Sequence, residues 1–185
     1  MPQTGNPLAF LIETVVHLYL VALLLRFLLQ AVRANFYNPV SHMLVRVTDP
    51  VLRPLRRVVP GVGGIDVAAL VAMFAIQMLG LWLVLLIVGR SVSLGWLMAL
   101  SLYNLIDLAL LTLIVTIVVQ AIISWVSPGA GHPAASLLRQ VNEPVLGPFR
   151  RMLPMAGGLD LSPLFALIAL QFLRLLLRSI WQWLL

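Results

Sequence analysis

The ionic side chains of this 185-residue chain are few and of narrow kinds: six carboxylates, and twelve basic residues that are all arginine. An arginine stays charged in proteins, and its planar fork meets phosphate or carboxylate oxygens two at a time. Arg53, Arg56 and Arg57 cluster in one stretch, Arg150 and Arg151 in another. Such clusters suit a phosphate, an acidic partner segment or anionic lipid headgroups. Their plainer use is to hold a loop on the cytoplasmic side of a membrane with no selectivity at all.

Glu13 and Asp107 lie within long apolar runs, as do Arg174 and Arg178. A lone charge in hydrocarbon costs several kcal/mol, so such residues are paired, functional, or within reach of the surface. Counted from the outer ends of their runs, Glu13 would sit roughly 8 Å deep and Arg178 roughly 10 Å deep, with Arg174 one turn further in. That depth match predicts carboxylate–arginine pairing, with a proton or cation relay and snorkelling as alternatives. Gln77 and Gln171 fall near the middle of equivalent runs, where an amide can bond across helices. Packing is the expected role there before a substrate site.

Other chemistry is poorly supplied. The chain has no cysteine, which removes disulfides, thiolate metal sites and iron–sulfur ligation. His17 stands four residues after Glu13, a spacing that two metal ligands can use, but two residues make no site. His42 and His132 have no cluster around them. Gly61-Val62-Gly63-Gly64 lacks the Lys-Ser/Thr of a phosphate loop, and no hydrolytic triad or zinc-protease motif occurs. No enzyme, cofactor or metal site is expected.

The elements that position these residues come in two copies. The run from Asp49-Pro50 through Arg53-Pro54, Arg56-Arg57 and Pro60 is answered by Glu143-Pro144, Gly147-Pro148, Arg150-Arg151 and Pro154, at an offset of 144 − 50 = 94. Gly63, Gly64 and Asp66 are matched by Gly157, Gly158 and Asp160, and Gln77 by Gln171. All six acidic residues obey the offset, pairing Glu13 with Asp107, Asp49 with Glu143 and Asp66 with Asp160. The first repeat is expected over residues 1–101 and the second over 102–185.

With 62% hydrophobic and 10% charged residues, the composition needs lipid rather than water, since a soluble domain carries roughly a quarter charged residues. Four runs are long enough to cross a bilayer: 8–32 and 67–88 in the first repeat, 102–126 and 161–182 in the second. The apolar stretch continues back from 102 to Leu94, so its front part is expected to tilt, bend or lie at the interface, within a connector over 89–101. Between the spans, 38–60 and 132–154 read as amphipathic interfacial elbows, with Asp49 capping and Pro50 opening the first, and a broken or 3₁₀ turn at Pro54 and Pro148. Pro60 or Pro154 ends each elbow, the glycine pair turns the chain, and Asp66 or Asp160 caps the next span. The fold class is thus an all-α membrane protein of four transmembrane helices in two parallel tandem repeats.

Arginine sets the orientation. Both elbow regions are arginine-rich, whereas the loop between the repeats carries Arg90 alone, which puts the elbows in the cytoplasm and both termini outside. Arg26 would snorkel toward the same inner surface. Trp96, Trp181 and Trp183 would mark the outer interface, and Phe36, Tyr37 and Trp125 the inner one. In so apolar a chain the basic balance faces anionic headgroups, not nucleic acid.

The doubled Asp/Glu-Pro-x-Leu-x-Pro-x-Arg-Arg-x-x-Pro, the Gly-Gly-x-Asp and the downstream Gln resemble the YggT family, also called YlmG, which is related to a plastid cofactor-assembly factor for cytochrome b6. The resemblance spans nearly the whole chain and departs at Gly147, where the first copy has Arg53. It implies a multi-pass protein of the bacterial inner membrane and no enzymatic reaction. Its bacterial members are associated with osmotic adaptation, potassium handling and the neighbourhood of cell-division genes. The resulting expectation is a membrane-organising or assembly factor acting through its elbows on anionic lipid and on another membrane protein or a second copy of itself. The alternative is a component of ion transport or osmotic-stress adaptation.

Overall fold

Asn6 and Asn38 start two helices in the same way. Each is followed by a proline, whose missing N–H is harmless in a first turn. Each side-chain oxygen accepts the N–H two residues on, from Leu8 and from Val40, both at 3.0 Å. A computed structural model describes residues 5–34, 38–126, 133–152 and 160–184. These form six helices: α1 (Pro7–Ala31), α2 (Pro39–Val58), α3 (Val67–Ile87), α4 (Leu94–Val126), α5 (Pro133–Met152) and α6 (Ser162–Leu184). There is no strand among the described residues.

Four helices are long and apolar enough to cross a membrane: Pro7–Ala31, Val67–Ile87, Leu94–Ser124 and Ser162–Trp183. Their outer surfaces carry large apolar side chains, among them Phe10, Leu18, Leu79, Val115 and Phe172, which suits a lipid solvent. α1 and α3 end alike, with Arg33 and Gly89 in the left-handed region and the following N–H returning to Leu29 and Leu85. Asp66 caps α3, its Oδ1 accepting from the Ala69 N–H at 3.2 Å. Just before it, Val62 and Ile65 exchange backbone hydrogen bonds around Gly63 and Gly64, both at positive φ. A two-residue turn of that hand favours glycine, which reaches positive φ without a Cβ penalty, and the glycine pair supplies it.

Three local expectations need correction. The stretch from Leu94 is no separate connector but the start of one unbroken helix of 33 residues. No proline or glycine follows Gly95 to interrupt it, and the Ser93 Oγ accepts the Trp96 N–H at its start. Asp49 does not cap a helix, because α2 already begins ten residues earlier at Pro39. Nor do the internal prolines break α2 or α5. Pro50 and Pro54 are four apart and both exposed, as are Pro144 and Pro148, so the freed carbonyls fall on an open face of each helix, away from the packed core.

The chain forms two compact units, residues 1–27 with 44–106, and residues 28–43 with 107–185. The division expected from the sequence, between 101 and 102, follows the repeat; compactness keeps the front of α4 in the first unit, as expected, but moves the boundary to 106 and places 28–43 in the second unit. Within the first unit, α3 presents Ala68, Ala69, Ala72 and Gly80 as a buried edge of small residues. A Cβ on Gly80 would come within 2.8 Å of Val16 Cγ1, so this glycine sets the approach of α3 to α1. Within the second unit, Ile117 of α4, Leu146 of α5, and Ala166 and Leu170 of α6 form a buried cluster. Phe36, Tyr37, His132, Pro154, Gly157, Gly158 and the Trp125 side chain lie outside the described residues.

Candidate functional site at the arginine-bearing helices

Arg56 and Arg150 occupy equivalent places near the ends of α2 and α5, and both turn inward. Arg56 Nε lies 3.1 Å from Asp66 Oδ2, with Nη2 bonded to the same oxygen; Asp66 is also the cap of α3 and is buried. Arg150 Nε lies 3.0 Å from Asp160 Oδ2, and its Nη1 lies 2.7 Å from Glu143 on its own helix. Asp160 in turn accepts the Ser162 N–H at 2.9 Å. Partial burial pushes the Asp160 carboxyl up, but donors from Ser162 and the Arg150 charge outweigh it and hold the group below its ordinary range. These two arginines tie each α2-type helix to the head of the following span.

Four other arginines of these helices line open grooves. On α2 a groove of about 380 Å³ is bounded by Arg46, Asp49, Pro50, Arg53, Pro54 and Arg57. On α5 one of about 630 Å³ is bounded by Gln140, Glu143, Pro144, Gly147, Pro148 and Arg151, together with Ala31 and Val32. Each of the six α2 positions recurs 94 residues later. Arg46, Arg53, Arg57 and Arg151 are exposed and make no hydrogen bond or ion pair among the described residues. Pro50 and Pro54 withhold an N–H from the carbonyls of Arg46 and Pro50, so acceptors and arginine donors share one face.

Beneath each groove lies a polar clasp to the preceding span. Arg26 is not at the surface: its side chain is buried, with Nη1 2.7 Å from Asp49 Oδ1, 2.6 Å from Thr48 Oγ1 and 3.3 Å from the Val45 carbonyl. A carboxylate and a hydroxyl on α2 satisfy it better than a headgroup would. The second unit builds the same joint from neutral groups. Asn142 donates to Gln120 Oε1 at 2.8 Å and accepts from Thr116 Oγ1 at 2.8 Å. Gln120 and Asn142 stand 94 positions after Arg26 and Thr48. None of Thr48, Thr116, Gln120 and Asn142 stood out in the sequence, although the offset that pairs the acidic residues sets Gln120 against Arg26 and Asn142 against Thr48.

Within the spans, Arg174 of α6 meets Asp107 of α4 edge-on, Nε and Nη2 lying 2.7 and 2.8 Å from the two carboxylate oxygens. Glu13 makes no ion pair among the described residues, because the position equivalent to Arg174 is Gly80. Arg178 is exposed. Gln77 is buried on α3 with no hydrogen bond among the described residues, and Gln171 is exposed on α6. No three His, Cys, Asp or Glu side chains gather as metal ligands among the described residues.

The twinned arrangement has a counterpart in known sequences. The family model described as CCB3/YggT matches residues 5–87 and again 99–181, two stretches that begin 94 positions apart. The chain belongs to the CCB3/YggT family. An uncharacterized protein of Pseudomonas aeruginosa is 46% identical over 170 residues, covering 90% of this chain and 86% of its own. One from Vibrio alginolyticus is 41% identical over 178 residues, 95% of each chain. The uncharacterized YggT protein of Escherichia coli K12 is 37% identical over 179 residues, 96% of this chain and 92% of its own. No solved structure matches the chain. In this family member both matched stretches contain a span, an arginine-bearing helix and a second span.

Proposed function

We propose that this CCB3/YggT-family chain is a non-enzymatic organising or assembly factor of the bacterial inner membrane, working through α2 and α5. In this reading the two repeats run parallel, α2 and α5 lie on the cytoplasmic surface as interfacial elbows, and both termini face outside. The observation that carries it is the twinned groove. Six equivalent positions bound both, while Arg56 and Arg150 are engaged in internal ties, so Arg53, Arg57 and Arg151 are the motif arginines available outward. The partner is another membrane protein or a second copy of the chain, approached over anionic lipid.

The test is complementation of a null strain with Arg53→Gln/Arg57→Gln and with Arg151→Gln, beside the corresponding Lys variants. Both Gln variants should insert at wild-type abundance yet lose function and partner recovery. Rescue by Lys but not Gln would reduce the elbows to charge-based anchoring, since Lys lacks the bidentate fork. Full rescue by the Gln variants refutes the reading. Cysteine labelling at the exposed positions His42 and Ser136 should report the cytoplasm, and at Ser91 the outer side.

Glu13 favours a second reading. A carboxyl in an apolar helix with no ion pair among the described residues suits an ion-transport or osmotic-adaptation component. Ion flux into vesicles reconstituted with the protein, abolished by Glu13→Gln, would support it.

A further inference from the structure

The α2 and α5 grooves share a plan but not a charge. Around the α2 groove stand Arg46, Arg53 and Arg57, none paired among the described residues, and its one carboxylate, Asp49, already answers Arg26. Around the α5 groove the equivalent positions are Gln140, Gly147 and Arg151, and its Glu143 answers Arg150. One groove therefore carries three uncompensated cations and the other a single one. Arg53 and Arg57 are one helical turn apart, and Arg46 precedes Arg53 by two turns, a rise of about 10 Å. Three long side chains thus stand on one face within about 16 Å of helix rise, a span that one lipid headgroup and its flexible arginine partners can cover, and guanidinium forks select phosphate oxygens.

The adjoining face of α2 says which phosphate. Val47, Pro54 and Val58 follow one another down the helix beside the arginines, all exposed, with Val58 79% accessible. The opposite face, Thr48 and Leu52, is buried against the protein. An anion site edged by an exposed apolar strip fits a molecule that carries both a phosphate and hydrocarbon.

We propose that the α2 groove is a selective site for one anionic diacyl phospholipid, its phosphodiester held by Arg46, Arg53 and Arg57 and an acyl chain lying along Val47, Pro54 and Val58, and that the α5 groove is not such a site. This deepens the reading above and rests on its placing α2 at the membrane surface.

Native mass spectrometry of the full-length protein, exchanged against phosphatidylglycerol and phosphatidylcholine, tests it. One phosphatidylglycerol should be retained with at least a tenfold preference. Arg46→Gln/Arg53→Gln/Arg57→Gln should remove that preference, while Arg151→Gln should leave it within twofold. Equal retention of the two lipids, or a preference that survives the triple substitution, overturns the proposal. So does displacement of bound lipid by millimolar glycerol phosphate, which would mark a site for a soluble phosphate monoester. Should the triple variant fail to fold, photoactivatable phosphatidylglycerol on the wild-type protein decides: crosslinks should fall within 46–58, and an equal yield within 140–152 overturns the site. Complementation separates the two readings. A triple variant that loses lipid but rescues the null strain leaves the site standing and removes the functional reading; loss of rescue with lipid retained does the reverse.

Discussion

Arg174 and Asp107 form a bidentate pair between α6 and α4, the one ion pair among the described residues that lies wholly within spanning helices. Each side chain is about a quarter exposed in the protein alone, so in a bilayer much of that remainder faces lipid. Asp107→Asn should therefore lower stability by about 3 kcal/mol, the scale of an orphaned intramembrane charge. Arg174→Gln added to it should restore part of the loss. Thermal unfolding in detergent of the two single variants and the double variant measures the coupling, and additive effects would show that the pair contributes nothing.

Arg56 and Arg57 are neighbours with opposite duties. Arg56→Gln removes the tie from α2 to the buried cap of α3 and should cost about 1–3 kcal/mol, because Asp66 is left with an unanswered charge. Arg57→Gln should stay within about 0.5 kcal/mol of wild type, as surface substitutions do. Midpoints of thermal unfolding compare them, and equal losses would place both arginines in the same role.

Asp160 supplies a pH test whose sign is fixed by its depressed pKa. A carboxyl held below its unfolded value of 3.8 adds stability that is fully present above that value and fades as pH falls through the lower folded value. The stability difference between wild type and Asp160→Asn should hold constant from pH 7 to about pH 5 and shrink below it. A difference that grows on acidification would contradict the Arg150 and Ser162 contacts.

Gly80→Ala should destabilise the first unit by about 1–3 kcal/mol through overpacking against Val16. Val16→Ala opens the space the new methyl needs, so the double variant should be more stable than Gly80→Ala alone. The same unfolding assay reads both.

Hydropathy made the four long apolar helices legible, and the offset of 94 marked where equivalent residues would stand. The faces of the helices were not legible. The spans are apolar nearly all round, so nothing in their periodicity revealed that Arg26 turns inward to Asp49 instead of outward to headgroups. Proline misled in the same region, because its effect depends on whether the freed carbonyl meets solvent, and Pro50 and Pro54 show a rhythm of four whose exposed placement only the fold reveals. Glu13 and Asp107 were both expected to face Arg174 and Arg178; Asp107 does pair with Arg174, whereas Glu13 makes no ion pair among the described residues, since Gly80 stands in the first copy where the second has Arg174. The ties from Arg56 to Asp66 and from Arg150 to Asp160 were visible as four separate motif residues and not as two contacts.

The clasps that hold α2 and α5 respond differently to the environment around the protein. Arg26 with Asp49 and Thr48 is a charged joint, open to screening by salt, because Asp49 is about one third exposed. Thr116, Asn142 and Gln120 make the same joint without net charge, and ionic strength leaves it alone. A change in ionic strength would thus loosen or tighten the joint of α2 while that of α5 kept its hold, giving a protein of two matched halves an asymmetric answer to a uniform stimulus.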